Sequence, residues 1–265
     1  MPLDIIVTVK QVLDPETPAS VLRINPETHR MEAPANIPPV VNGFDENAVE
    51  AALQLREKVD GKVTILSVGS QFAMDVIKKT LSMGADDLVL VQGEGLESLD
   101  PFSTALILGS AIRKIGNFNL VLCGRQASDF DQAQVPLALA EVLSIPAITL
   151  AQKVEVQGSK LVVDRVMTDG YDTVESSLPA LVTVSNEIGQ ARYPTLRGIM
   201  AASRKQPTVW SIGDLGISAE ALLPKLEIRE LFVPTQDSAC EFIDGSTDEE
   251  KGTNLALKLR EMKLI

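Results

Sequence analysis

Up to about residue 143 this chain keeps switching period, from short apolar runs to longer amphipathic ones, and no other feature narrows its fold as much. Residues 4–9 (DIIVTV), 63–68 (VTILSV), 88–91 (LVLV) and 119–123 (NLVLC) are short and mostly apolar, which is how strands covered on both faces read. Helical runs lie between them. Residues 46–59 place Val49, Ala52 and Leu53 on one face, with Asp45 expected as N-cap and Gly61 just past the end. Residues 73–83 do the same with Val76, Ile77 and Leu81, followed by Gly84. Asp100-Pro101 opens a third helix, a cap and a first-turn proline, and Gly116 closes it. Such alternation predicts a doubly wound, mostly parallel sheet, which offers ligands the carboxyl ends of its strands. Those ends are Val9-Lys10, Val68-Gly69, Val91-Gln92 and Cys123-Gly124.

The last of these ends runs into 124–136 (GRQASDFDQAQVP), ahead of an apolar-periodic helix at 137–143. Pro136 belongs in the helix's first turn, where backbone donors have no intrahelical partner. The N–H groups of about Asp131, Gln132, Ala133, Gln134 and Val135 are therefore expected to point outward as an anion cradle. Gln126, Ser128 and Gln134 can add hydrogen bonds to phosphate or ribose. Asp129 and Asp131 suit helix capping or ribose hydroxyls better than Mg²⁺, and no metal is expected. The same residues also read as an ordinary polar connection between strand and helix.

After Pro146 the texture changes. Residues 154–156 and 161–166 flank Gly158-Ser159 as an antiparallel hairpin, 171–176 follow a Thr168-Asp169-Gly170 turn, and 180–185 form an apolar strand. This region (151–186) extends the sheet. Residues 187–207 lack clear periodicity and carry Arg192, Arg197, Arg204 and Lys205 around Tyr193-Pro194-Thr195-Leu196. On an acidic protein they read either as a contact surface for a partner or as a solvated connector. We expect an α/β domain over 1–210 and, over 211–265, an acidic linker and a terminal helix from about 246 with Leu255, Leu259 and Met262 on one side.

With 36 acidic against 24 basic side chains the net charge is −12, which disfavours nucleic acid or an anionic membrane as main partner. No apolar run is long enough to span a bilayer, and Met-Pro-Leu-Asp leads straight into a strand rather than a signal peptide. Cys123 and Cys240 lie far apart and read as reduced thiols in a cytoplasmic setting. The single His29 reads as a solvated turn residue. Gly93-x-Gly95 does not complete a dinucleotide fingerprint, and there is no Walker loop or Cys–His pair. The inventory suits binding and positioning rather than covalent or acid–base catalysis. No catalytic residue is expected.

Taken together, several stretches resemble the β subunit of electron transfer flavoprotein. They are residues 7–12 (VTVKQV), 42–52 (NGFDENAVEAA), 83–86 (MGAD), 124–135, 163–165 with 178–183, and 192–200 (RYPTLRGIM), in family order and spacing. The resemblance implies an adenine-nucleotide-binding domain with flavodoxin- or Rossmann-like layering and a C-terminal arm helix on an α subunit that holds most of the redox-active FAD. It implies AMP or a second FAD in this subunit, against Thr8, Asn42, Gly43, Phe44, Asp45, Val68, Gly124, Arg125, Gln126, Ser128, Asp129, Phe130, Asp131, Gln132, Ala133, Gln134, Val135 and Pro136. Val12 and Leu13 would wall one side of the α-bound flavin. The Leu196 loop, with Arg192, Tyr193, Ile199 and Met200, would dock a dehydrogenase of acyl-CoA dehydrogenase type or similar. The sequence departs from the family pattern at Arg197, where Pro can occur, at Ala201-Ala202-Ser203 in place of a Lys-rich run, and at Thr168, where an acidic residue is usual. A branch that bifurcates electrons from NADH with two FADs shares the pattern of 124–135 but not Pro101 or Pro136. The alternative from another class is a stand-alone adenine-nucleotide-binding module of the stress-protein type, which needs neither the Leu196 loop nor the terminal helix.

Overall fold

The computed structural model describes residues 2–233 and 240–265. Its central feature is a nine-stranded sheet. In chain order the strands are β1 (Leu3–Thr8), β2 (Gly61–Gly69), β3 (Asp87–Gln92), β4 (Leu120–Gly124), β5 (Ala147–Gln157), β6 (Lys160–Met167), β7 (Gly170–Ser177), β8 (Ala180–Val184) and β9 (Thr208–Trp210). Their spatial order is β7-β6-β5-β8-β4-β1-β2-β3-β9. Every neighbouring pair from β5 to β9 is parallel, and β6 and β7 join as an antiparallel hairpin. The doubly wound reading therefore holds, with the antiparallel extension at one edge. Successive side chains of β1 serve opposite faces: Ile5 and Val7 pack with helix α1 (Gly43–Lys58), and Ile6 with α4 (Pro101–Ile115) and α5 (Val135–Leu143). Burial on both faces is why these strands read as unbroken apolar runs.

Four local expectations change. Helix α1 begins at Gly43, and Asp45 is not its N-cap: Asn42 stands at the cap, while the Asp45 side chain turns inward and is buried. Gly61 is not a helix terminator but the first residue of β2, paired with Leu3. The expected helix at 73–83 is two short ones, α2 (Met74–Ile77) and α3 (Lys79–Met83); where they meet, the Thr80 hydroxyl donates to the Ile77 carbonyl. Residues 187–207 contain helix α6 (Leu196–Arg204), capped by Thr195 Oγ1 accepting from Gly198 N.

The chain forms two compact units, Met1–Arg229 and Glu230–Ile265. Residues 211–229, expected as linker, belong to the first: Asp100 caps α4 through Ser103 N (2.7 Å) and its other oxygen accepts from the backbone N–H groups of Lys225 and Leu226. In the second unit, α7 (Asp248–Glu261) starts at a Thr247 cap, with Glu250 accepting from Ser246 N. Leu255 and Met262 are exposed. Part of the expected acidic linker, residues 234–239, lies outside the described residues.

Candidate functional site

From β1 the chain winds outward to β2 and β3, then returns to place β4 on β1's other side. The order reverses between β1 and β4, so their carboxyl ends flank a topological switch point, the crevice position where open parallel sheets take ligands. The buried carboxyl of Asp45 staples those ends together, its Oδ2 accepting from Lys10 N (2.7 Å) and its Oδ1 from Gly124 N (3.1 Å). Burial pushes this carboxyl up to about 7, against the downward pull of the two backbone N–H groups, the Asn42 side chain and the Lys10 charge. Glycine is required at 124 because α1 comes so close: a Cβ there would lie 2.3 Å from Asp45 Oδ1 and 2.8 Å from the Phe44 carbonyl carbon.

Asn42, also buried, spends its amide on the loop, donating from Nδ2 to Gln126 O (2.8 Å) and accepting at Oδ1 from Ser128 N (3.2 Å). The side chains of Asn42 and Asp45 thus shape the crevice from behind. At its rim, Lys10 Nζ pairs with Asp129 (2.6 Å) and lies 5.8 Å from the Phe130 ring centre. Arg125 stacks over Phe44 at 5.4 Å, and Gln126 donates to Asp131 (2.8 Å). Asp131 N bonds back to Ala127 O, so that donor is not part of a cradle. The N–H groups of Gln132, Ala133, Gln134 and Val135 find no partner among the described residues. Residues 132–134 are exposed, and Pro136 sits in the first turn of α5 as expected. Asp131 and Ala133 both adopt positive φ (50° and 54°), and Ala133 is followed by right-handed Gln134. Such alternation turns successive N–H groups to one side and makes an anion nest. Thr8 and Val68 are half-buried at the ends of β1 and β2. Among the described residues no cluster of His, Cys, Asp or Glu has the makings of a metal site.

Val12 is 4% exposed and pairs with Val40, so its side chain is spent inside this chain; Leu13 is half-buried. Around α6, Tyr193, Leu196, Ile199 and Met200 are all exposed. Arg192 differs, its guanidinium turned onto Glu50 and Glu57 of α1. A groove of about 410 Å³ runs beside this helix, lined by Pro39, Val41, Val76, Lys79, Pro194 and Ile199. Sequence reasoning missed Lys10 and Glu50 as members of these sites. Lys10 stood at a strand end, a signal that could have found it; Glu50 lay between apolar helix positions, with nothing to announce its partner.

The fold and the site define a doubly wound α/β protein with free backbone donors at its switch point and, against α3, a helix that exposes Leu196, Ile199 and Met200. The family model for the electron transfer flavoprotein domain matches residues 35–215. The chain is 36% identical, over 99% of its length and 100% of the relative's, to an electron transfer flavoprotein subunit beta of Thermoanaerobacterium thermosaccharolyticum. It is 34% identical, over 98% of itself and 99% of the relative, to subunit CarD of the caffeyl-CoA reductase-Etf complex of Acetobacterium woodii. A Megasphaera elsdenii subunit beta is 36% identical over 94% of each chain. The chain belongs to the electron transfer flavoprotein family, with the function of its β subunit, and its work is flavin-based electron transfer. Among the described residues no helix is long and apolar enough to cross a membrane.

Proposed function

We propose that this chain is the β subunit of a cytoplasmic αβ electron carrier, holding an adenine nucleotide in its crevice while the α subunit holds most of the redox-active FAD. The observation that carries the reading is the row of partnerless N–H groups from Gln132 to Val135 at the β1/β4 switch point. It fits a phosphate: nested donors, the positive end of α5, and the Lys10 and Arg125 cations at the rim. Ser128 and Gln134 would add hydrogen bonds to ribose or phosphate oxygens, and Gln126 would do so on leaving its bond to Asp131. The bound FAD supplies the one-electron and two-electron chemistry. This chain's residues hold a nucleotide and orient a docking surface, with Leu196 as the apolar anchor for a dehydrogenase.

Whether the crevice takes AMP or a second FAD is a question of stoichiometry. The αβ complex, purified and extracted with acid, should release one FAD and one AMP per heterodimer, or two FADs and no AMP in the bifurcating case. A complex holding one FAD and no second nucleotide would end the crevice reading. A colourless single chain that binds ATP without an α subunit would favour the stress-protein alternative instead.

A further inference from the structure

We infer that Arg192 is a positioning residue for partner docking: through Glu50 and Glu57 it holds the segment before α6 against α1, so that Leu196 and its apolar neighbours meet the electron-transfer partner in one arrangement. The inference rests on the docking reading above and adds what orders the surface. Arg192 donates from Nε to Glu50 Oε2 (2.7 Å), from Nη2 to Glu50 Oε1 (2.9 Å), from its backbone N to Glu50 Oε2 (3.1 Å) and from Nη1 to Glu57 Oε1 (2.5 Å). The Arg fork meets both oxygens of one carboxylate, a geometry a Lys ammonium cannot copy. Glu50 is only 8% exposed at its side chain, and Gln54 Nε2 adds a further bond to Oε1 (2.9 Å). Burial alone would raise the Glu50 carboxyl, yet the Arg192 and Gln54 hydrogen bonds hold it below the usual range.

Other ties fix the two flanks. Asn47 Nδ2 donates to Gly189 O (2.8 Å) before the segment, and Lys205 Nζ donates to the Ala85 and Asp86 carbonyls after it. Gly198 rides against α3 so closely that a Cβ would lie 2.3 Å from Ser82 O. Between these anchors, Tyr193 is 91%, Leu196 75%, Ile199 49% and Met200 54% exposed. An apolar surface this small gains affinity by being ordered before contact, because ordering it at contact would cost conformational entropy. Arg192 does not itself greet an acidic partner, since its fork is occupied by carboxylates of its own chain.

The test uses the flavin-loaded αβ complex carrying Arg192→Met, Arg192→Lys or Leu196→Ala. Amide hydrogen exchange is followed over 196–204, and electron transfer is measured with substrate-reduced acyl-CoA dehydrogenase while the complex is varied. Arg192→Met should speed exchange across α6 and raise KM about tenfold, with kcat and flavin content unchanged. Arg192→Lys, which keeps one bond to Glu50, should fall between, and it carries the test if Arg192→Met does not fold. Unchanged exchange in the variants overturns the inference. So does faster exchange with unchanged KM, provided Leu196→Ala raises KM. If Leu196→Ala leaves KM unchanged, the docking reading fails, and the inferred purpose of the clamp falls with it whatever the exchange rates.

Discussion

Both the 124–136 loop and the segment around α6, proposed above as a docking surface, are tied to α1, the first at the helix's N-terminal turn and the second along its middle and end. The loop is held by buried groups: Asn42, the Asp45 carboxyl and the close approach of Gly124. The segment is held by a cluster in which Glu50 is buried, but Arg192 is one-third and Glu57 half exposed at the side chain. Buried hydrogen bonds are insensitive to salt but sensitive to the protonation of the group that makes them. Half-exposed ion pairs are screened by salt and stay charged across the neutral range. One helix therefore serves two surfaces through two physically separable devices.

The comparison breaks most readily at Gly124. Gly124→Ala puts a methyl against backbone and a buried carboxylate with no room to yield, so a loss of about 3 kcal/mol in urea unfolding is expected. Exchange protection over α6 should be unaffected. Loss of protection there would show that the two surfaces are not separable.

Asp45→Asn sharpens the difference in pH response. The amide presents NH₂ to one of the two backbone donors, at a cost of about 2 kcal/mol. In the parent, the unfolded chain ionises Asp45 near 3.8 and the folded chain near 7, so this group's contribution is complete at acid pH and drains away as pH rises from about 4 to about 7. The variant lacks that titration. Unfolding free energies measured in parallel from pH 4.5 to 7.5 should converge with rising pH, and parallel curves would refute the assignment.

Glu50→Gln keeps the shape of the clamp and removes its charge, at an expected cost of about 1.5 kcal/mol in 0.1 M salt. Because the Arg192 side chain is partly solvated, the gap from the parent should shrink in 1 M NaCl, whereas the gap for Asp45→Asn should not. Smallest is Leu196→Ala. At 75% exposure the side chain contributes little to the fold, and the melting free energy should change by less than about 0.5 kcal/mol. A larger loss would mean that Leu196 is covered within the folded protein.

Much of this was legible before any coordinates. The strand runs, the Asp100 cap, the Pro136 first turn and the positions of the strand carboxyl ends follow from local pattern, because fully covered strands and capped helices carry their signatures in neighbouring residues. The roles of single polar residues were less legible. Asp45 reads as a cap from its neighbours, yet the partners that turn it inward, Lys10 and Gly124, are 35 and 79 residues away. The helix at Leu196 does carry an apolar stripe, Leu196, Ile199 and Met200, but at nine residues it is too short for the pattern to stand out from the irregular segment around it.

What the chain's own pattern determined is the layering of the sheet, the direction of its strands and hence the edge at which their carboxyl ends gather, since periodicity and caps act over a few residues. Only the tertiary structure decided which charges meet: that Asp45 joins two strand ends, and that Arg192 closes on Glu50 across 142 positions of sequence. Electrostatic pairing and desolvation depend on distance in space, and no local pattern encodes that distance.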